Sequence, residues 1–313
     1  MDEVLDAWQL PRPRSVTPAP WGVNNQTSFV SCPSGEFVLR VYLNRSEPTG
    51  VRFEHALLGR LAELDLSFST PVPVQLSSGG TIALDPQGRP AALFRRLPGE
   101  HIDDPADDLM RGAGRALAEL DDALGEIRDV GIPAPRFDAE FAAVHPLVPD
   151  PSTIPELDAS TRNELARVSR EIAPIYPTLP RQLTHGDFAL GNVLFRNGQV
   201  SALLDFEFSG ADVRAIDLAT ACYILTGRRP GGESWRPFVD AYNARLPLDE
   251  REGTSLPSLM SSHAAVGLIH WIGRHRAGLA PKHSVDAHAA RLLEIREWRL
   301  RYGDELVRRV LAS

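Results

Sequence analysis

Cysteine is nearly absent. The chain has two in 313 residues, Cys32 and Cys222, 190 positions apart. That excludes a disulfide framework and every cysteine-spaced metal motif, so both thiols are expected to be reduced and buried. Long apolar runs are missing too: no stretch approaches the roughly 18 residues a spanning helix needs. Nor is there an excess of positive charge. With 33 basic and 41 acidic side chains the formal charge is −8, which argues against nucleic acid or an anionic membrane surface as the main partner. The opening Met-Asp-Glu-Val-Leu-Asp lacks the charge pattern of a secretory leader, so the expected compartment is the cytoplasm. There is no internal repeat, and the 26 prolines and 24 glycines are spread along the chain. What is present, 43% hydrophobic and 24% charged residues, is an ordinary globular composition with length for about two domains.

One segment carries chemistry. Residues 184–206 place His185, Asp187, Asn192 and Asp205 in an order suited to phosphoryl transfer. That reaction needs a carboxylate to take the acceptor hydroxyl's proton and oxygen ligands to hold Mg²⁺ on the phosphates. The kinase template is His-x-Asp, four residues, Asn, and then a metal-binding Asp on the next hairpin. Asp187 and Asn192 have that spacing, and Asp205 follows Asp187 by 18 residues. Val193-Leu194-Phe195 and Ala202-Leu203-Leu204 are short apolar runs around Asn197-Gly198, a strong hairpin signal. Such a hairpin brings Asn192, before its first strand, near Asp205, after its second. These two are the expected metal ligands.

With those residues on the page, the segment resembles the aminoglycoside phosphotransferase and homoserine kinase type II superfamily, whose members phosphorylate small molecules. His-Gly-Asp in place of His-Arg-Asp, and Asp-Phe-Glu-Phe followed by Ala215-Ile216-Asp217-Leu218-Ala219, are similar to its motifs. Choline and ethanolamine kinases share an Asp-Phe-Glu of this kind. The resemblance implies an α+β, protein-kinase-like bilobal fold: a small β-rich N-lobe with one main helix over residues 1–97, and a larger, mostly helical C-lobe over 98–313. It also implies ATP as co-substrate with Mg²⁺.

The first 97 residues fit that order. Ser28-Phe29-Val30 and Phe37–Tyr42 read as strands around Cys32-Pro33-Ser34-Gly35. Residues 51–64 turn helical, and Thr81–Leu84 and Ala91–Phe94 read as two more strands. Arg40 stands where relatives place a phosphate-binding Lys on the third strand, and Glu54 where they place its acidic partner. Guanidinium can grip phosphate bidentately and stays charged. No full Gly-x-Gly-x-x-Gly occurs; Trp21–Thr27, with Asn24 and Asn25, stands at the phosphate-loop position and offers its amides. By position, Phe94 would sit behind the nucleotide, while the Arg95 carbonyl and Leu97 N–H would meet adenine.

Beyond residue 100 the chain is expected to be helical. A helix begins at Asp104-Pro105 and carries the stripe Leu109, Ala113, Ala116, Leu117, Leu120 and Leu124. A proline-rich surface excursion spans 129–155, a helix spans 157–174, and helices run from Asp217 to the end with breaks near Gly231-Gly232 and Pro281. Asp217 either braces the catalytic loop or caps its helix, and Glu207 reads as exposed. Only 11 residues separate Asp205 from Asp217, so the peptide-docking activation segment of protein kinases is missing. The expected partner is therefore a small-molecule hydroxyl acceptor, with the chain a monomer or homodimer.

Homoserine or a similar amino alcohol is the first expectation for that acceptor, with Arg228, Arg229, Arg274 and Arg276 as candidates for its carboxylate. The alternatives are an aminoglycoside, for which the acidic run Asp103, Asp104, Asp107 and Asp108 offers charge, and choline or ethanolamine. For choline an aromatic cage could draw on Trp235, Tyr242, Trp271 and Trp298. A non-catalytic ATP-binding pseudokinase is the reading from a different class.

Overall fold

The structure, a computed structural model, describes residues 2–19, 25–43, 49–137, 140–227 and 234–312. Asn24, Arg228, Arg229 and the Gly231-Gly232 break lie outside the described residues. The chain divides into two compact units. One comprises Met1–Ile102, Glu126–Pro135 and Gly191–Ser209; the other comprises Asp103–Gly125, Arg136–Leu190 and Gly210–Ser313.

The first unit is built on a five-stranded antiparallel sheet. Its strands are β1 (Ser15–Pro18), β2 (Asn25–Cys32), β3 (Gly35–Tyr42), β4 (Ala83–Leu84) and β5 (Pro90–Arg95), in the spatial order β1-β2-β3-β5-β4. Alternation along β3 turns Phe37, Leu39 and Val41 inward, against Val30, Ala91 and Leu93. A short α1 (Asp2–Leu5) and the turn after it close this core with Val4, Leu5 and Trp8, whose indole N–H reaches the Val74 carbonyl at 3.0 Å. Each such buried Leu or Phe contributes about 2 kcal/mol.

The helix expected over 51–64 is α2 (Thr49–Leu61), and it buries Val51, Phe53, Glu54, Leu57, Leu58 and Leu61. The run Thr81–Leu84 pairs only at Ala83 and Leu84, because Gly79 and Gly80 both adopt positive φ just ahead of it. Strand β1 was not anticipated; it is an exposed edge strand ending in proline.

The Asn197-Gly198 hairpin forms as read. Strands β7 (Val193–Arg196) and β8 (Gln199–Leu203) pair around Asn197 and Gly198, which take φ of 53° and 75°. Ser69 N–H donates to Ser201 O at 2.9 Å, and Glu100 and Phe195 exchange backbone bonds of 2.9 Å each. Gly99 lies against this hairpin: a Cβ there would run into Ser201 Oγ and come within 2.9 Å of Leu194 Cβ.

The second unit is mostly helical, with α3 (Asp107–Glu126), α4 (Ala159–Ile175), α5 (Ile216–Thr226), α6 (Trp235–Arg245), α7 (Glu250–Arg276) and α8 (Lys282–Leu311) beside a two-stranded ribbon of β6 (Arg181–Thr184) and β9 (Gly210–Val213). Helix α3 starts at Asp107, not Asp104, and Asp103, Asp104, Asp107 and Asp108 are exposed. A break that the sequence reading missed separates α6 from α7. Its signal is Asp249, whose carboxylate takes the Glu252 N–H at 2.8 Å while Glu252 takes the Asp249 N–H at 3.0 Å, a reciprocal capping box. No helix among the described residues is long and apolar enough to cross a membrane.

Candidate active site

Within the first unit, Arg40 is the hub. β3 presents it beside α2, and its Nη1 lies 3.3 Å from Glu54 Oε1 and 3.1 Å from Asp205 Oδ1. Tyr42, two residues along the same strand face, donates its hydroxyl to the other Glu54 oxygen at 3.1 Å. Burial works against the guanidinium's charge, yet Asp205 and Glu54 outweigh it and its pKa is raised. The strand-then-helix pairing of Arg40 with Glu54 is as expected from the sequence. The direct contact with Asp205 was not foreseen.

Asn192 and Asp205 are tied together by the hairpin. The Leu204 N–H donates to the Asn192 carbonyl at 2.8 Å, which sets Asp205 one residue beyond that bond. Asp205 adopts φ of 66°, a left-handed conformation costly for any residue with a Cβ and tolerated best by Asp and Asn. Its Oδ1 is buried and accepts no hydrogen bond among the described residues, leaving the Arg40 ion pair as its contact. Such an oxygen, with the Asn192 amide oxygen, suits a hard divalent cation. Among the described residues no three His, Cys, Asp or Glu gather as a metal cluster.

Glu207 corrects an expectation. It is buried, at 7% exposure, and its carboxylate accepts a hydrogen bond from Asn25 Nδ2. Asn25 is therefore the first residue of β2, tethered through its side chain. Phe94 is buried and meets His55 edge-on at 5.8 Å, with the Arg40 guanidinium 6.0 Å from its ring. Arg95 is exposed at the end of β5, its guanidinium 5.5 Å from the Phe37 ring, and Leu97 is half-buried just beyond.

The second unit carries His185, Asp187 and Asp217. The loop after β6 turns at Gly186, which has φ of 81°. Asp217, fully buried one residue into α5, accepts the His185 N–H at 2.6 Å on one oxygen and the Gly186 N–H at 2.8 Å on the other. This settles the two options for Asp217. It braces the loop, and Ala215 holds the helix-cap position. Burial raises the Asp217 pKa against the opposing pull of His185 and those two amides. His185 is fully buried, and its Nδ1 accepts the Asp187 N–H at 3.2 Å, so the ring's Nε2 carries the proton in the neutral form. His185 therefore shapes the loop from behind, and Asp187 is half-buried on it.

Asp121 was missed. It is fully buried on α3 and accepts the Tyr242 hydroxyl at 2.7 Å; burial, then the charge of Asp217, push its pKa up. A signal was available: Asp121 lies four residues after Leu117 and three before Leu124, on the face that α3 buries.

Several acceptor candidates change standing. Arg276 is held by Glu156 through two contacts of 2.8 and 2.9 Å. Trp235 and Tyr242 are fully buried. Arg274 is buried on α7 with its guanidinium 5.3 Å from the Trp271 ring. Cys222 is buried as expected, but Cys32 is only half-buried.

Comparison with known proteins gives the family and the fold. The model of the phosphotransferase enzyme family, APH, matches residues 15–253. A homoserine kinase of Methylobacterium sp. (strain 4-46) is 32% identical over 268 residues, covering 80% of this chain and 79% of that protein. A homoserine kinase of Methylobacillus glycogenes is 30% identical, covering 81% and 77%. Among solved structures, a microcompartment-associated aminopropanol kinase superposes with a TM-score of 0.78 at 21% identity, covering 98% of both chains. The aminoglycoside phosphotransferase APH(4)-Ia, in a ternary complex with ADP and hygromycin B, gives 0.66 at 15% identity, covering 98% and 97%. The fold is thus protein-kinase-like.

Proposed function

The chain belongs to the phosphotransferase enzyme family, an ATP-dependent small-molecule kinase by its relatives, and from that premise we propose that it phosphorylates the hydroxyl of a small amino alcohol, homoserine first. The observation that carries this reading is the order and spacing of His185, Asp187, Asn192 and Asp205 along the sequence, with the His185 and Gly186 amides ahead of Asp187 gripped by Asp217. The homoserine kinase relatives supply the acceptor class.

In the proposed mechanism Asp187 accepts the proton of the acceptor hydroxyl as that oxygen bonds the γ-phosphorus and the bond to the ADP oxygen breaks. Arg40, held by Glu54, neutralises the α- and β-phosphates. Asn192 and Asp205 are the ligands for Mg²⁺, which when bound offsets phosphate charge. Asn25, Phe94, Arg95 and Leu97 line the nucleotide side. Arg274 is the cation assigned to the acceptor's carboxylate. An aromatic cage for choline is not available from Trp235 and Tyr242, which are fully buried. Activity in the cytoplasm, as a monomer or homodimer, completes the reading.

The test is ADP formation with purified protein, ATP and Mg²⁺ against homoserine, 1-amino-2-propanol, choline and an aminoglycoside. Acceptor-dependent ADP with homoserine or aminopropanol is expected. ADP formation at background with all four, while ATP still binds, would leave the non-catalytic reading in its place.

A further inference from the structure

We propose that Asp121 is a positioning residue for phosphoryl transfer: its carboxyl holds a proton and donates it in a hydrogen bond to the Asp217 carboxylate, which in turn fixes the His185 and Gly186 amides ahead of Asp187. The kinetic arm of this proposal rests on the phosphotransfer reading above; its stability arm does not.

The geometry leaves few options for the proton. Both carboxyls are 0% exposed, the Asp121 Oδ1 is buried with no partner among the described residues, and each carboxyl acts on the other's titration. Two carboxylates cannot both be ionised in buried contact, so one proton must lie between them. Asp217 accepts a backbone N–H on each oxygen, at 2.6 and 2.8 Å, and that arrangement favours its ionised form. Asp121 accepts only the Tyr242 hydroxyl on Oδ2, and its buried Oδ1 meets no donor among the described residues. The proton therefore belongs on Asp121. Its backbone is fixed as well, since Gln182 Nε2 donates to the Asp121 carbonyl at 2.7 Å.

The charged and titratable groups facing the pair come from every element around it: Tyr242 on α6, His185 on the loop after β6, Asp212 on β9, and Arg214 between β9 and α5. Arg214, held by Glu252 through its Nε at 2.8 Å, favours the ionised Asp121 but is outweighed by burial and by the charge of Asp217. Burial first, then the charge of Asp217, push the Asp121 pKa well above the carboxylate range. A carboxyl whose folded pKa is raised contributes stability that is complete below its unfolded pKa and is lost as pH rises toward the folded one.

Two variants separate proton from packing. In Asp121→Asn the amide N–H replaces the carboxyl proton toward Asp217, and the amide oxygen still accepts from Tyr242. In Asp121→Ala both bonds go. With homoserine as acceptor, Asp121→Asn should keep kcat within about 3-fold of wild type, while Asp121→Ala should lose at least about 10-fold in kcat with KM for ATP within about 2-fold. Equal kcat in the two variants would overturn the positioning role. Independently of turnover, the unfolding free energy of Asp121→Asn should gain steadily on wild type from about pH 5 to about pH 9. A flat difference across that range would overturn the protonated Asp121.

Discussion

Arg40 lies 3.1 Å from Asp205 and thereby joins strand β3 to the residue that follows the Asn197-Gly198 hairpin. The guanidinium neutralises a carboxylate that sits at positive φ with a buried oxygen accepting no hydrogen bond among the described residues. The pair ties two candidate site residues to one another.

Removing Arg40 should therefore be felt in folding as well as in turnover. Glu54 is 2% exposed, and deleting the partner of a buried ion pair typically costs about 3 kcal/mol. Arg40→Met should lower denaturant stability by that order and reduce kcat/KM for ATP by at least about 100-fold. Arg40→Lys should recover most of the stability but only part of the activity, since a point charge cannot reproduce the planar grip. Equilibrium unfolding and steady-state kinetics of both variants provide the check.

Asp205 offers a cleaner separation of chemistry from folding. Asn tolerates the left-handed conformation that Asp205 adopts at φ of 66°, whereas Ala loses about 1–2 kcal/mol there. Asp205→Asn should keep most of the wild-type stability, losing only its share of the Arg40 ion pair, and lose at least about 1000-fold in kcat. Asp205→Ala should lose both. A thermal melt beside an ADP-release assay distinguishes them.

Much of this site was legible because its parts act locally. His185, Asp187, Asn192 and Asp205 are read from spacing, and Asn197-Gly198 names its own hairpin. The left-handed angles at Asn197 and Gly198 match the two residue types best able to adopt them. What was not legible depends on tertiary partners. Glu207 reads as a solvated carboxylate until Asn25, 182 residues away, is seen donating to it. Asp121 was passed over because a charged residue inside an apolar stripe makes sense only once Tyr242 and Asp217 face it. The break before α7 lay in a capping pair, Asp249 and Glu252, that a search for glycine and proline overlooks.

Gly99 should be intolerant of any side chain. It adopts φ of 139°, and an added Cβ would collide with Ser201 Oγ and crowd Leu194 Cβ at 2.9 Å. Ser201 itself cannot swing away freely, since its hydroxyl donates to the Pro98 carbonyl at 2.8 Å. Gly99→Ala should destabilise by about 2–3 kcal/mol and lower kcat with it, because the displaced β7–β8 hairpin carries Asn192 and Asp205. Ser201→Ala should relieve the collision, so the double variant should be less damaged than Gly99→Ala alone. Chemical denaturation of the three proteins tests this.

The two thiols should differ sharply in reactivity. Cys222 is buried, and burial pushes its pKa up to about 12, so almost no thiolate is present at neutral pH. Cys32 is half-buried at the end of β2 with Ser34 Oγ 3.1 Å away. A thiol-reactive dye should label Cys32 in the native protein and reach Cys222 only on unfolding. Mass spectrometry of the labelled peptides reads the outcome.

Acid sensitivity should be traceable to His55. Its ring is 7% exposed, its Nδ1 contacts Thr81 Oγ1 at 2.7 Å, and burial followed by the charge of Arg40 lowers its pKa from 6.5 to about 4. A histidine with a depressed folded pKa is neutral in the fold, and the unfolded chain takes up the proton first. Its contribution to stability is therefore complete above 6.5 and is lost as pH falls toward about 4, at roughly 1.4 kcal/mol per unit. His55→Gln keeps a polar group toward Thr81 but cannot titrate. The variant should be less stable than wild type, or equal to it, at about pH 7.5, and should gain on wild type by about 2 kcal/mol on going to about pH 5. Urea unfolding at the two pH values measures the gain, and an unchanged difference would assign the acid sensitivity to another group.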